Sequence, residues 1–192
     1  MKSSSSEIPE ELAKAVEFHG HLCPGVVIGY LAATVAMERL GAKRSEDEEL
    51  VAIVENDSCA VDAVQALTGC TLGKGNLFLR NYGKMVFTLA LRPSGQSVRL
   101  CLKPTTQATD RPVPEDPDKL RQEKIQYMLS RPPSEFFSIR QEIIGLPEKA
   151  QIRRSAICDI CGESVMETKT RTVSGVVACI PCARNAQMQN PE

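Results

Sequence analysis

The chain has 192 residues, 23 Lys and Arg against 24 Asp and Glu, a formal charge of −1 and a pI near 6.2. That length suits one domain plus a small appendage, and the balanced charge argues against a general nucleic-acid binder. No apolar run reaches about 18 residues without a charge, which argues against a spanning helix.

The Ser-rich start, Met1 to Glu7, lacks the apolar core of a secretory leader, so a cytoplasmic location is expected. Residues 8–18 read as a short helix, with Pro9 near its first turn and Leu12, Ala15, Val16 and Phe18 on its apolar side. The stretch Phe18-His19-Gly20-His21-Leu22-Cys23-Pro24-Gly25 then holds both histidines of the chain and a cysteine. Imidazole and thiolate are preferred ligands of Zn, Ni, Cu and Fe. Alternate residues of an extended segment share a side, so His19, His21 and Cys23 can converge, with Gly20 allowing the sharp turn. The competing reading is a hydrogen-bonded loop beside a small buried thiol. Pro24 suits the first position of a helix over residues 24–40, closed by Gly41, and puts Cys23 at an N-terminus whose dipole favours thiolate. This helix is apolar nearly all round, the pattern of a buried central helix, and Gly25, Gly29, Ala33 and Ala36 permit close approach.

Residues 43–49 read as a solvated loop and Leu50–Glu55 as a buried strand. Asn56-Asp57-Ser58-Cys59 leads into a helix, Ala60–Leu67, closed by Gly69; with Asp57 or Ser58 as cap, Cys59 falls in the first turn. Strand-to-helix turns are where α/β folds place functional groups. The loop Thr68-Gly69-Cys70-Thr71-Leu72-Gly73-Lys74-Gly75-Asn76 is Gly-rich but fails as a phosphate loop: its glycine spacing is one short, and no Ser or Thr follows Lys74. It either carries Lys74 and Asn76 into a cleft or simply turns the chain into a strand, Leu77–Arg80. Residues 84–103 read as a hairpin, Phe87, Leu89 and Leu91 facing Val98, Leu100 and Leu102 across Pro93-Ser94-Gly95-Gln96, with Cys101 structural. Residues 104–115 have linker composition. Asp116-Pro117 starts a helix with Leu120, Tyr127 and Met128, stopped at Arg131-Pro132-Pro133. Ser134 is expected to cap a second, Glu135–Ile144, on the apolar set Phe136, Phe137, Ile139 and Ile143.

Near the carboxyl end, Cys158-Asp159-Ile160-Cys161 and Cys179-Ile180-Pro181-Cys182 are separated by 17 residues. Each pair places two thiolates on one side of a tight turn, and four at about 2.3 Å make tetrahedral structural zinc. Gly162 permits the first knuckle, the segment between reads as a hairpin, and Ala183–Gln189 as a short helix, which together suggest a treble-clef zinc finger. An Fe–S or redox site is disfavoured by the lack of aromatic shielding and extra ligands. Arg153, Arg154, Lys169, Arg171 and Arg184 are too few to favour a nucleic-acid partner.

The motif at residues 18–25, Asp57-Ser58-Cys59 with Asp62 and Gln65, and the loop at residues 68–76, in that order, resemble the FmdE family of formylmethanofuran dehydrogenase. The resemblance covers about residues 8–150, and a zinc-ribbon-like tail also accompanies this family's domain. It implies an α+β fold with a mixed sheet packed with helices over residues 1–150, followed by a treble-clef module at residues 151–192. It further implies a homodimer with a metal-associated His/Cys cleft; the complex's molybdenum or tungsten pterin and its Fe–S centres belong to other subunits. On this basis His19, His21 and Cys59 are expected to form a mixed N/S site, with Cys23 as fourth ligand or nearby thiol. Zinc is the first choice of metal there, nickel or iron the alternatives. Three protein ligands leave a position open for exchange or catalysis. Cys23, Cys59, Lys74 and Asn76 are the catalytic candidates, the last two facing a small anionic ligand. Two functions follow: a metal-dependent redox or accessory subunit of a molybdenum or tungsten enzyme, or a stand-alone metal-binding or regulatory module whose zinc finger docks a protein or nucleic-acid partner. Whether Cys59 can pair with Cys70 stays open.

Overall fold

The computed structural model describes residues 8–104 and 116–189. The chain divides into two compact units, Met1–Ala150 and Gln151–Glu192.

The first unit is a five-stranded mixed sheet with helices against it. Two helices, α1 (Glu10–His19) and α2 (Pro24–Leu40), precede β1 (Leu50–Val54), α3 (Ala60–Thr68), β2 (Leu77–Leu79) and the hairpin β3 (Val86–Leu91) and β4 (Gln96–Leu102). Then come α4 (Pro117–Leu129), the single turn α5 (Pro133–Phe136) and β5 (Phe137–Ile143). The strand order is β2-β1-β3-β4-β5; β2 runs parallel to β1 and every other pair is antiparallel. The two-residue strand period sends Leu50, Ala52, Val54, Phe87, Leu89, Val98 and Leu100 into one core with Leu12, Val26 and Val27.

The approach of α2 and α3 depends on glycine. A Cβ at Gly29 would lie 2.1 Å from the Ala60 carbonyl oxygen, and one at Gly25 2.9 Å from Cys59 Cβ. Only hydrogen fits at either place.

Two expectations are corrected. Residues 134–144 form no second helix: a four-residue turn gives way to β5, which pairs with β4 through Leu100↔Ile139 and Cys101↔Ser138. Phe137, Ile139 and Ile143 satisfy a two-residue period as well as a helical one, and the edge of β4 offers backbone partners that a helix there would leave unpaired. Nor is the 43–49 segment merely solvated: Ser45 and Glu48 are buried. The linker expected at 104–115 lies, from residue 105 on, outside the described residues.

The second unit has two short hairpins and a helix. Strands β6 (Ser155–Ile157) and β7 (Ser164–Met166) flank the first cysteine pair, and a 3-10 turn at Glu167–Lys169 leads to β8 (Thr170–Val173), β9 (Val176–Cys179) and α6 (Ile180–Gln189). Knuckle, hairpin and helix follow in treble-clef order, with one hairpin more than expected and a helix starting three residues earlier. No helix among the described residues is long and apolar enough to cross a membrane.

Candidate metal centres

In the first unit the site forms where α1 ends and α2 and α3 begin. Gly20, at φ +96°, takes the left-handed conformation that closes α1 and donates its N–H to the Val16 carbonyl. The chain reverses there, bringing the rings of His19 and His21 to 4.6 Å between centroids, tilted by 40°. Cys23 is the N-cap of α2; its sulfur accepts from the Val26 N–H at 3.5 Å. Ligand atoms of His19, His21 and Cys23 all lie within 4.8 Å of one another. Cys23 is buried, His19 half-buried and His21 exposed, so the set opens to solvent on one side.

His19 is held in one orientation. Its Nδ1 lies 2.7 Å from Asp62 Oδ2, and Gln65 Nε2 donates to the other carboxylate oxygen at 3.5 Å. The Nε2 atom lies 3.9 Å from Cys23 Sγ. The N-to-S edge of a tetrahedron built on normal zinc bond lengths is about 3.6 Å. Two imidazoles and a thiolate therefore fit a borderline transition-metal ion, with a carboxylate behind one imidazole as metal-bound histidines usually have.

Cys59 adjoins this set without being one of the three. It stands at the N-cap position of α3 in helical conformation with no side-chain cap bond of its own; Ser58 Oγ accepts the Ala60 N–H at 3.4 Å, the capping role expected of Ser58. Its thiol is raised above the ordinary range by burial first, then by the charge and hydrogen bond of Cys23. The set of three is thus the His19, His21 and Cys23 that the alternation of the motif suggested, while Cys59, which the family resemblance added, stands beside Cys23 and not among them. Asp62 belongs to the motif that begins at Asp57, but the motif alone suggests no role for it. The available signal was its i+3 spacing from Cys59, which places both on one side of a helix start, with Gln65 another three residues on.

Lys74 and Asn76 lie elsewhere, near the opposite ends of α3 and β1. The Lys74 ammonium donates to the carbonyls of Ser45, Glu46 and Asp47 at 3.0, 3.1 and 3.1 Å. Buried Asn76 donates from Nδ2 to Asp47 and Leu50 carbonyls, both at 3.0 Å, and accepts from the Thr71 N–H at 2.9 Å. All three lysine donors are in use, so this pair stitches two loops together instead of facing an anion. Cys70 donates to the Leu50 carbonyl, and burial pushes its thiol up to about 11. A nine-residue helix separates it from Cys59. At roughly 1.5 Å per residue that exceeds the span of a disulfide.

In the second unit the four sulfurs of Cys158, Cys161, Cys179 and Cys182 lie within 4.8 Å of one another. The 3.9 Å between Cys161 and Cys179 sulfurs agrees with the S-to-S edge of about 3.8 Å in a zinc tetrathiolate. Gly162, at φ +75°, turns the first knuckle, and its N–H bonds the Cys158 carbonyl at 2.8 Å. The knuckle is tied to β9 by Asp159, whose N–H donates to the Val177 carbonyl and whose carboxylate accepts the Val177 N–H. Backbone N–H groups of Cys161 and Cys179 point at Cys158 and lower its thiol to about 6. Cys182, hydrogen-bonded chiefly to Cys179, is pushed up to about 12. Four crowded thiols cannot all ionise unaided; a divalent cation at their centre removes that conflict. The set fits structural zinc.

The sequence profile described as "FmdE, Molybdenum formylmethanofuran dehydrogenase operon" matches residues 18–138. That of the "Prokaryotic dksA/traR C4-type zinc finger" matches residues 152–187. A "Probable S-adenosyl-L-methionine-binding protein" of Archaeoglobus fulgidus is 31% identical over 93% of this chain. The chain spans about half, 54%, of that relative's length. The crystal structure of an FmdE-like protein from Syntrophus aciditrophicus, named for tungsten formylmethanofuran dehydrogenase, superposes with a TM-score of 0.66 at 26% identity, covering 95% of this chain and 93% of the other.

Proposed function

The chain belongs to the FmdE family and carries a C4 zinc finger, and from that premise we propose that its first unit is an exchangeable transition-metal site serving a molybdenum- or tungsten-dependent oxidoreductase of the formylmethanofuran dehydrogenase kind. His19, His21 and Cys23 are the ligands, Asp62 and Gln65 orient His19, and Cys59 stands beside Cys23. The observation that carries this reading is the 2.7 Å contact from Asp62 to His19 Nδ1, which leaves Nε2 as the free nitrogen, 3.9 Å from Cys23 Sγ. A metal held by three protein ligands supplies Lewis acidity at one further position, open to a small ligand. This chain's part is to fix the imidazole tautomer, hold the Cys23 sulfur on the Val26 N–H and leave the His21 side accessible. Zinc is the first candidate at this site, nickel or iron the alternatives. The accessory role is supported by the likeness to the Syntrophus protein.

Metal analysis of the purified chain tests the reading. Two equivalents per chain are expected, falling to one in a His19→Ala/His21→Ala/Cys23→Ser variant and to one in a variant lacking the four tail cysteines. A single equivalent, insensitive to the first set of substitutions, would overturn it.

The name of the Archaeoglobus relative supports a second reading, in which the first unit binds S-adenosyl-L-methionine. Calorimetric titration with that compound decides: saturable binding that survives loss of the His19/His21/Cys23 set would favour it.

A further inference from the structure

Two thiols outside the paired cysteines of the tail meet where α2 and α3 begin. Cys23 caps α2 and Cys59 stands at the N-cap position of α3. They meet because the first two turns of α2 present Gly25 and Gly29 to α3. A Cβ at Gly25 would stand 2.9 Å from Cys59 Cβ and 3.7 Å from Cys23 Sγ, so the position between the two cysteines is filled by hydrogen alone. The helix starts therefore lie backbone to backbone, and Cys59 Cβ and Cys23 Sγ stand on either side of the one hydrogen of Gly25. Access differs between them: Cys23 is 8% exposed and Cys59 is half-buried. The unit's other thiols are placed apart, Cys70 beyond the far end of α3 on the Leu50 carbonyl and Cys101 on β4 opposite Val86.

We propose that Cys23 and Cys59 form a dithiol–disulfide redox pair whose oxidant is a low-molecular-weight disulfide, and whose oxidation withdraws Cys23 from the metal set with His19 and His21. The withdrawal rests on the metal reading given above; the pairing does not. Cys59, the accessible sulfur, attacks one sulfur of the small disulfide as thiolate, breaking its S–S bond and releasing one thiolate. The Cys23 thiolate then attacks the Cys59 sulfur of the mixed disulfide and expels the second. The two protons given up by Cys23 and Cys59 end on the released thiols. One disulfide is reduced to two thiols while two protein thiols are oxidised to one disulfide, and excess small thiol reverses the exchange. A sulfur engaged in a disulfide is no longer a thiolate ligand, so two imidazoles alone remain for the ion.

The test uses the full chain with its tail zinc in place, equilibrated over a range of oxidised to reduced glutathione, acid-quenched, alkylated and digested with trypsin. The expected product is the Cys23 peptide joined to the Cys59 peptide, two hydrogens lighter than the separate pair and lost again in excess reduced glutathione. Cys59 and Cys70 share one tryptic peptide, ending at Lys74, so fragmentation assigns the sulfur. Metal content should fall from two equivalents to one in step with this product, and Cys59→Ser should keep its second equivalent at ratios where the wild type loses it. Both thiols staying alkylatable across the range, or glutathione resting on Cys59 without the joined peptide, would overturn the pairing. Metal retained by disulfide-bearing molecules, or lost equally by Cys59→Ser, would overturn the withdrawal. If the joined peptide forms while the reduced chain holds one metal from the start, the pairing stands and the metal reading falls.

Discussion

At the residue scale the first unit turns on Asp62. Its carboxylate fixes one nitrogen of His19 and thereby chooses which nitrogen faces Cys23. Outer partners of this kind are worth about 10–100-fold in metal affinity. Asp62→Asn should therefore weaken binding of the head-site metal by that order while leaving the tail zinc untouched, as read by competition with a chromogenic chelator. Asn76 provides the contrast. Buried with its amide bonded to two carbonyls and one N–H, it holds loops together and touches no metal ligand. Asn76→Ala should cost about 1–3 kcal/mol of stability in urea unfolding, the cost of leaving buried partners unpaired. Its metal content should stay at the wild-type value. A loss of metal with full stability would mean the loop does face the site.

At the scale of elements, the contact that matters is α2 against α3. Helix α2 reads in the sequence as buried on nearly all sides, and its glycines as points of close approach; the structure shows that the neighbour is a helix start bearing Cys59. Gly29→Ala would set a methyl 2.1 Å from the Ala60 carbonyl oxygen, a rigid backbone atom. The helices must part, at the roughly 1–3 kcal/mol typical of overpacking. Because the displaced segment carries Cys59 and Asp62, the variant should lose both thermal stability and head-site metal affinity, measured by melting and by chelator competition. Strand β5 is the element at which local reasoning failed. Phe136, Phe137, Ile139 and Ile143 contain two periodicities at once, and a partner some forty residues away, β4, decided between them.

At the scale of the whole molecule there are two units with separate cores, one large and hydrophobic and one a small cluster around Cys158, Ala178, Cys179 and Ala183 beside the four-cysteine group. The small unit buries few apolar side chains among its described residues, so its metal should supply much of its folding free energy. Stripped of metal, its stability should follow its thiols. Cys158, lowered to about 6 from 9.0, stabilises the folded form fully above pH 9, an effect lost as pH falls through 6. Cys182, raised to about 12, favours the folded form only while protonated and disfavours it increasingly as pH rises above 9. The chelator-treated chain should therefore show the tail most stable near pH 9. Circular dichroism melts across that window, compared with Cys158→Ser, check it; a variant with the same profile as the wild type would refute the assignment.

The sequence by itself determined what depends on neighbouring positions: the helix expected at 8–18 and found at 10–19, the helix at 24–40, the one that starts at Pro117, the caps at Cys23 and Asp116, the hairpin expected at 84–103 and found at 86–102, and the two cysteine pairs. Caps, turns and tight knuckles are satisfied within a few residues, so their residue types announce them. Tertiary structure alone decided which distant groups share a site. Asp62 stands behind His19, Cys59 lies beside Cys23 without joining the set of three, and Lys74 is consumed by three carbonyls. Those outcomes depend on how closely two helices can pack and on which buried carbonyls need donors. Both are settled only when segments far apart in the chain are pressed together.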